Sequence, residues 1–280
     1  MEQVYQGHYE MAITSARELR ADFPGHPLPS IIIAEAYYEL IYCETGHITS
    51  QEIWNVAERK ASSYDDRFFE AIEESLASSR KMRQKPETVA LGALYAGLAR
   101  GIQARLFTFR GEKINAASEG KQMRTDFLEA VARNPSLALE AGLGLGAYNY
   151  YADILSPLLK VIRFFLGIPG GDREKGLEQL RTASEHASFV AAEAQYELAR
   201  IYGLYEKRHT EAFQMLQKLS EQYPENALYL LSTAYQADLI GRKDIAAEEV
   251  RKAMNAAKTM DGVCRQRLGK VGQEALKRLQ

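Results

Sequence analysis

The stretches TEAFQMLQKLSEQYPENA at 210–227 and DIAAEEVRKAMNAAKTMD at 244–261 carry the same pattern of small and apolar residues. Three pairs of corresponding positions are each 34 residues apart: Ala212 and Ala246, Leu216 and Val250, and Leu219 and Ala253. Self-similarity at a fixed period of this order is typical of repeat arrays, in which each unit is one supersecondary structure. Because the spacing within each stretch follows a helix, the sequence predicts an all-α chain built from helix pairs.

The beginning of the chain, GHYEMAITSARELRADFPGHP at 7–27, carries half of the same unit. Residues with matching mutual spacings are Gly7, Ala12, Ala16 and Leu19 in this segment and Gly241, Ala246, Val250 and Ala253 in the last unit. Small residues at facing positions let two helices approach closely, and Pro24 cannot continue a helix, so it fixes the next turn. In these features the chain resembles the tetratricopeptide repeat family. The resemblance implies a right-handed superhelical array of antiparallel helix pairs, an α-solenoid.

Helical periodicity extends over the rest of the chain. A period of about 3.6 residues predicts helices at 9–22, 29–43, 65–83, 88–109, 112–133, 136–154, 172–187, 189–206, 211–222, 226–240, 243–258 and 263–279. The helices form a single repeat domain of six units, the first incomplete, with approximate bounds 1–27, 28–86, 87–135, 136–188, 189–225 and 226–258. The basic segment 260–280 is predicted to cap the array with a solvent-facing helix.

An insertion, HITSQEIWNVAERKASS at 47–63, is too long for a turn between two helices. Thr49 and Glu52 stand at the spacing of a capping box, so a short extra helix carrying Trp54 is predicted there. The tryptophan that marks the first helix of a tetratricopeptide repeat is absent from the repeats themselves.

A second insertion, SPLLKVIRFFLGIPGG at 156–171, is predicted to form a helix that begins at Pro157 and ends at Gly167. One broad face of this helix would carry large apolar side chains, namely Leu158, Leu159, Ile162, Phe165 and Leu166. Because exposing so much apolar surface is unfavourable, we expect this face to lie in the concave groove, against a second copy of the chain or on a membrane surface. The groove is favoured, since the segment offers only Lys160 and Arg163 to lipid headgroups.

GLGLGAYNYY at 142–151, this apolar insertion and GGDREKGLEQL at 170–180 are together similar to the divergent tetratricopeptide repeat 39 family. The similarity assigns no functional residue. GLGLG also has the look of a dinucleotide-binding loop, but such a loop follows a strand, and here the run lies within a helical pattern. Gly142 and Gly146, like Gly97 and Gly101, therefore predict close contact between helices.

The composition is that of a globular, nearly neutral chain. Of 280 residues, 46% are hydrophobic, and 35 basic side chains balance 37 acidic ones to leave a net charge of −2. This charge gives no reason to expect a nucleic-acid partner. No apolar run has the length of a membrane-spanning helix, and the first residues carry no signal-peptide pattern. We expect a cytoplasmic location by default; periplasmic export is the alternative if an upstream signal has been removed, because the pattern begins within a repeat.

The two cysteines, Cys43 and Cys264, are too few for a disulfide framework or a zinc site of their own. Both lie in apolar helical contexts, where a thiol packs as a small hydrophobe. Since several helix pairs separate them along the array, we expect free thiols at opposite ends of an elongated molecule.

No residue pattern in the sequence indicates catalysis. The five histidines are scattered near predicted turns, and none has a partner four residues away that could share a metal ion. Neither a nucleophile elbow nor a metalloprotease motif occurs. The sequence therefore predicts no catalytic, cofactor-binding or metal-binding residue and no enzymatic activity.

The resemblance implies that a partner binds on the concave face, which the first helix of each tetratricopeptide repeat lines. Carried over to this sequence, the face contains polar and aromatic residues of four units: Arg100, Gln103, Tyr148, Asn149, Asp153, Tyr196, Arg200, Tyr235 and Asp238. Phe164 of the second insertion is expected in the wall of the same groove. The basic and amide clamp that some family members use for chaperone C-termini cannot be assembled at these positions, so a chaperone-tail adaptor is disfavoured.

The sequence thus predicts a non-catalytic scaffold that binds a peptide or protein segment in its concave groove. The alternative is a binder of an apolar small molecule or lipid that uses Phe164 and Phe165 of the insertion. A competing interpretation applies to each tyrosine of the mapped face. Its ring would pack in the seam between two helices, its hydroxyl would reach solvent, and it would not bind a partner.

Overall fold

Fourteen α-helices follow one another in the computed structural model, which describes residues 1–46, 48–49, 60–165 and 167–280. They are α1 (Glu2–Tyr5), α2 (Tyr9–Asp22), α3 (Pro27–Thr45), α4 (Asp65–Met82), α5 (Val89–Phe109), α6 (Lys113–Arg133), α7 (Ala138–Ile154), α8 (Pro157–Phe165), α9 (Arg173–His186), α10 (Ala191–Leu204), α11 (His209–Gln222), α12 (Ala227–Leu239), α13 (Lys243–Ala256) and α14 (Gly262–Leu279). The described residues contain no strand, and each of the twelve helices predicted from the period of about 3.6 residues is present with similar ends. The prediction of an all-α repeat array is confirmed.

The helices form an inner and an outer layer. Neighbours in sequence pack as pairs, α3 with α4, α5 with α6, α7 with α9, α10 with α11 and α12 with α13. Three contacts also join first helices of successive pairs: α3 with α5, α5 with α7, and α7 with α10. Helices α3, α5, α7 and α12 are apolar on most sides, whereas α4, α11 and α13 have one apolar and one polar face. Because a helix without a polar face must be buried, the first helices form the inner layer.

Glycines set the distance between the inner helices. The buried ring of Phe127 in α6 lies against Gly97 of α5 and Gly144 of α7. A Cβ atom would stand 2.6 Å from this ring at Gly97 and 2.2 Å from it at Gly144, which is closer than atoms can approach. On the far side of α7, a Cβ on Gly146 would lie 2.8 Å from Leu180. The glycines of GLGLG therefore serve helix packing, as predicted.

Side-chain caps fix the start of two later helices. The Asp172 carboxylate accepts a hydrogen bond from the Lys175 backbone N–H at 3.0 Å and begins α9. The Asn226 side chain accepts from the backbone N–H groups of Leu228 and Tyr229, at 3.0 and 3.2 Å, and begins α12. Each cap satisfies donors that the first turn of a helix leaves without an intrahelical acceptor.

The array closes on itself, because α14 packs against α3. Cys43 of α3 and Cys264 of α14 form a disulfide bond with their Cα atoms 5.0 Å apart. The Arg267 guanidinium donates to the Glu44 backbone carbonyl at 3.3 Å beside it. The expectation of free thiols at opposite ends of an elongated molecule is therefore wrong. Separation along the chain does not measure distance in a helical array that turns back on its beginning.

The N-terminal residues complete the closure. The Tyr5 hydroxyl donates to the Phe189 carbonyl at 3.1 Å, and the Asn226 side-chain amide donates to the Tyr5 carbonyl at 3.0 Å. His8 Nε2 lies 3.0 Å from a carboxylate oxygen of Glu225. Helix α1 thus contacts the segments that precede α10 and α12. These contacts join the beginning of the chain to its C-terminal half.

The second insertion forms the predicted helix, α8, which ends just before Gly167 with its φ of 61°. Its surroundings differ from the prediction at the two phenylalanines, whereas the side chains of Leu158, Leu159, Ile162 and Leu166 lie outside what the structure describes. Phe164 is 78% exposed and Phe165 is 81% exposed, so neither side chain lies in a groove. Instead, Arg163 turns inward and donates to the Ala152 carbonyl at 2.6 Å. The charged residue faces the array because the last turn of α7 offers a carbonyl that needs a donor.

Two further sequence predictions can be placed only in part. The predicted helix carrying Trp54 falls mainly on residues outside the described ranges. None of the described helices combines the length and the apolar composition that crossing a membrane requires.

Candidate functional site

Helix α3 carries polar and aromatic residues on one face of an otherwise apolar helix. Glu35, Tyr38, Glu39 and Tyr42 follow the spacing i, i+3, i+4 and i+7 and therefore share a face. Together with Arg105 of α5, Tyr151 of α7, Glu193, Tyr196, Glu197 and Arg200 of α10, and Tyr229 of α12, they form the group that we call the inner cluster. All five of these helices belong to the inner layer.

Arg105 connects three inner helices. Its guanidinium forms ion pairs with Glu35 of α3 and Glu193 of α10, and its Cζ lies 4.2 Å from the centre of the Tyr38 ring. Helices α3 and α10 do not pack side by side, so Arg105 reaches across the interior between them. Burial would lower the pKa of Arg105, but the neighbouring Glu35 carboxylate outweighs it, and the guanidinium remains charged.

A second charged group lies on α10. The Arg200 guanidinium donates to the Glu197 carboxylate at 3.0 Å and to the Tyr151 hydroxyl at 2.9 Å, and that hydroxyl donates to Glu197 at 2.7 Å. Burial acts to raise the pKa of Glu197, but Arg200 and Tyr151 reverse the shift and hold the pKa below its ordinary value. Glu197 is therefore a carboxylate at neutral pH, and the neighbouring Arg200 guanidinium balances its charge.

Glu39 differs from the other carboxylates of the inner cluster. Among the described residues, no side chain donates a hydrogen bond to it and no cation lies within ion-pair distance. Burial, followed by the nearby charge of Glu35, raises its pKa to about 7. Part of its surface nevertheless remains accessible to water. Glu39 is thus a half-buried carboxylate on the inner face of α3.

Tyrosines make up much of the remaining wall. The rings of Tyr196 and Tyr229 lie 5.1 Å apart, and the Tyr196 hydroxyl is 3.3 Å from that of Ser232. Burial raises the pKa of Tyr38, Tyr42 and Tyr229 above the ordinary value of 10.0, so these hydroxyls stay protonated. The inner cluster thus presents hydroxyl donors and aromatic faces beside its charges.

The structure brings two of the predicted site residues, Tyr196 and Arg200, into the inner cluster. Arg100 instead lies between α5 and α6, where it pairs with Glu119 at 2.7 Å and with Asp126 at 3.1 Å. Gln103 is half-buried on α5. The family register places Arg100 on the concave face, but here its side chain turns toward the second helix of its own pair.

The predicted residues of α7 contact neighbouring helices. The Tyr148 hydroxyl donates to the Pro169 carbonyl at 2.8 Å, the Asn149 amide donates to Gln179 at 2.7 Å, and Asp153 lies 4.0 Å from the Lys160 ammonium. They hold the second insertion and α9 against α7. Phe164, which was expected in the groove wall, lies on the exposed face of α8.

The predicted residues of α12 lie at the seam with the last helix. The Asp238 carboxylate accepts a hydrogen bond from Arg278 of α14 at 2.5 Å. The half-buried Tyr235 lines a small pocket together with Leu231, Val271 and Arg278. These two residues are apart from the inner cluster.

Sequence reasoning missed Glu35, Glu39 and Arg105. A signal existed for the first two, because two carboxylates and two tyrosines follow the apolar run Ile31–Ala34 at helical spacing. A charged residue that recurs on the inner face of an apolar helix needs a partner inside the protein. Arg105 gave no such signal, since its partners are 70 and 88 residues away.

Residues 140–266 match the Iml2/Tetratricopeptide repeat protein 39 family. The match begins in the first turn of α7 and ends in the first turns of α14. It therefore includes every helix from α8 to α13. The resemblance to tetratricopeptide repeats is therefore confirmed in this part of the chain. No curated protein matches the chain.

Proposed function

We propose that the chain is a non-catalytic scaffold that binds a peptide or protein segment at the inner cluster. The observation that supports the proposal is the convergence of charged and tyrosine side chains from five inner helices, which the contacts of Arg105 and Arg200 join. Tyrosine and arginine are frequent at the centre of protein interfaces, because they combine large contact area with directed hydrogen bonds.

The scaffold is preorganised for binding. Arg105 and Arg200 are each held by ion pairs to carboxylates and by a tyrosine. Binding to side chains already fixed by such contacts loses little receptor entropy, so more of the contact energy appears as affinity. A protein partner fits better than nucleic acid, because a cluster with four carboxylates and two guanidiniums repels phosphates.

Selection from a peptide-phage library on the immobilised chain tests this proposal. We expect enriched peptides to bind the wild-type chain and to lose most of their affinity for the double variant Glu197→Gln/Arg200→Gln. Both charges are removed together so that neither is left buried without its partner. The matched control is Arg208→Gln/Glu211→Gln, which removes an ion pair of the same sequence spacing, 2.9 Å apart, at the start of the outer helix α11. Equal binding by both double variants would move the binding site away from the inner cluster.

Binding of an apolar small molecule or a lipid is a second candidate function, favoured by the exposed face of α8. Val161, Phe164 and Phe165 are 53%, 78% and 81% exposed, and large neighbouring apolar side chains are unusual on a protein surface. Flotation with liposomes and a thermal-shift screen against fatty acids test it. The variant Phe164→Ser/Phe165→Ser should abolish any such binding; retention of binding would exclude α8 as the site.

A further inference from the structure

We propose that the exposed face of α8 docks on the surface of a bilayer that contains anionic phospholipids. This inference rests on the second candidate function and deepens it, because it names the form of lipid that the face would meet. The residues that carry it come from α8 and from the neighbouring part of α6. We call them the α8 surface: Lys121, Arg124, Lys160, Val161, Phe164 and Phe165.

The apolar part of the α8 surface stands clear of the array. Val161, Phe164 and Phe165 follow the spacing i, i+3 and i+4, so they share one face of the helix. The two phenylalanine rings contact each other edge to face, with 5.8 Å between their centres. A pocket for a small molecule buries most of its ligand, and side chains that are 78% and 81% exposed form no such enclosure. A broad, flat partner therefore fits this face better than a single fatty acid.

Cations lie beside the exposed rings. Lys160 belongs to α8 itself. From α6, Lys121 places its ammonium 3.7 Å from the position of a Cβ atom on Gly167, and the Arg124 guanidinium lies 5.5 Å from the centre of the Tyr148 ring. Among the described residues, neither of these α6 cations has a carboxylate within ion-pair distance. The fold thus brings to α8 two cations that the sequence of the insertion does not contain.

The carboxylates near α8 already have partners. Asp153 lies 4.0 Å from the Lys160 ammonium, and Asp172 accepts the hydrogen bond that begins α9. The insertion at 156–171 contains no acidic residue. The charge around the exposed rings is therefore positive, and the negative surface potential of anionic lipids attracts lysine and arginine side chains.

A second copy of the chain fits the α8 surface less well than a bilayer does. A stable protein interface buries about 800 Å² on each partner. A whole phenylalanine side chain buries about 150–250 Å², so the two phenylalanines and Val161 together offer well under that area. Two copies would also bring their cations face to face, where like charges repel. Anionic headgroups would instead neutralise them.

Contacts at both ends hold the segment in place before it meets a partner. Arg163 donates to the Ala152 carbonyl at 2.6 Å, and the Tyr148 hydroxyl donates to the Pro169 carbonyl at 2.8 Å. Both contacts connect the insertion to α7, so docking would cost little further ordering. An amphipathic helix of this kind buries its apolar face about 5–10 Å into the boundary between headgroups and acyl chains. The phenylalanine rings would enter that boundary while the cations stay among the headgroups.

Sedimentation of the full chain with phospholipid vesicles tests the docking. We expect vesicles of phosphatidylcholine with about 30% phosphatidylserine to bind at least about tenfold more tightly than vesicles of phosphatidylcholine alone. Raising the NaCl concentration from about 0.1 M to about 0.5 M should weaken this binding, because salt screens the attraction between the cations and the headgroups.

The apolar contribution is tested by Phe164→Ser/Phe165→Ser, which should abolish binding to the mixed vesicles. Because both side chains are exposed, this variant should melt at the temperature of the wild type, which circular dichroism checks. The matched control is Met11→Ser/Phe23→Ser, at or next to α2, where the two side chains are 54% and 58% exposed. It should bind the mixed vesicles like the wild type.

The charge contribution is tested by Lys121→Gln/Lys160→Gln, which should weaken binding to the mixed vesicles at least about tenfold. The matched control is Lys270→Gln/Lys277→Gln, which removes the same charge from two exposed lysines of α14. It should leave the affinity unchanged. A loss of equal size in both double variants would mean that net charge, and not the α8 surface, attracts the chain to the vesicles, and would overturn the inference.

Two other outcomes would overturn it: equal binding to both kinds of vesicle, or unchanged binding by Phe164→Ser/Phe165→Ser. A dimer that this variant abolishes, without any binding to vesicles, would assign the face to a second copy instead. Failure of the inference is distinguishable from failure of the second candidate function. If fatty acids raise the melting temperature of the wild type but not of the variant, and vesicles do not bind, lipid binding stands and bilayer docking is wrong. If neither fatty acids nor vesicles bind, both are wrong.

Discussion

Cys43 and Cys264 are joined by a disulfide although 221 residues separate them in sequence. Cys43 is 3% exposed and Cys264 is fully buried, so the bond lies inside the contact between α3 and α14. It links the first complete helix pair to the last helix. Export, one of the two locations expected from the sequence, is the setting in which such a bond forms and persists.

Replacing both cysteines with alanine should lower the free energy of unfolding by about 2–5 kcal/mol, because a long cross-link restricts the unfolded chain. Urea denaturation of the oxidised wild type, the reduced wild type and the double variant measures the effect. The reduced wild type and the variant should agree. Two thiols that react with Ellman's reagent in urea without any reductant would contradict the disulfide.

Gly144→Ala should destabilise the fold by about 1–3 kcal/mol, because the new methyl group overlaps the Phe127 ring. Adding Phe127→Leu should recover part of the loss, which a double-mutant cycle in urea detects. The control is Gly269→Ala in α14, where nothing lies within 4 Å of the new Cβ. That change should be neutral or stabilising by up to about 1 kcal/mol, since alanine is the better helix former. Strict additivity of the first two changes would show that Phe127 does not fill the space at Gly144.

Arg105→Met should cost about 3–5 kcal/mol of stability, because it leaves Glu35 and Glu193 charged in the interior without their cation. The triple variant with Glu35→Gln and Glu193→Gln should regain much of the loss. Arg20→Met removes an ion pair whose side chains are 42% and 41% exposed, so it should cost less than about 1 kcal/mol. Chemical denaturation of the wild type and the three variants measures these losses. Similar costs for Arg105→Met and Arg20→Met would mean that the ion pairs of Arg105 are as hydrated as a surface ion pair.

Glu39 should make the wild type less stable as the pH rises from 4.5 to about 7. Its pKa is about 7 in the folded chain against an ordinary 4.5, so the folded state binds more protons than the unfolded state between these values. Stability from this group is complete below pH 4.5 and is lost as the pH passes through 7. Glu39→Gln should remove about 3 kcal/mol of this loss, since each pKa unit between 4.5 and about 7 corresponds to about 1.36 kcal/mol. Parallel pH profiles of the two proteins, measured by urea denaturation, would show that Glu39 is solvated like an ordinary carboxylate.

The repeat architecture could be predicted because it depends on local patterns. Helix ends such as Asp172 and Asn226 and packing glycines such as Gly146 act within one or two neighbouring helices, so their spacing is visible in sequence. The candidate site could not be predicted to the same degree. Arg105 pairs with Glu35 and Glu193 across the interior, and that proximity follows from how far the array turns. The family register fixes the face of a helix but not the rotamer, which is why Arg100 pairs with Asp126 instead of facing a partner.

The contacts of the N-terminal residues have a consequence for folding kinetics. In an open array each unit touches only its neighbours, so ends fray and units can unfold one after another. Here Tyr5 bonds to Phe189 and Asn226, and these contacts raise the contact order of a chain made otherwise of local pairings. Folding rates fall as contact order rises, since the two ends must meet before these contacts contribute. The chain should therefore fold more slowly than an open repeat array of its length and unfold in a single transition.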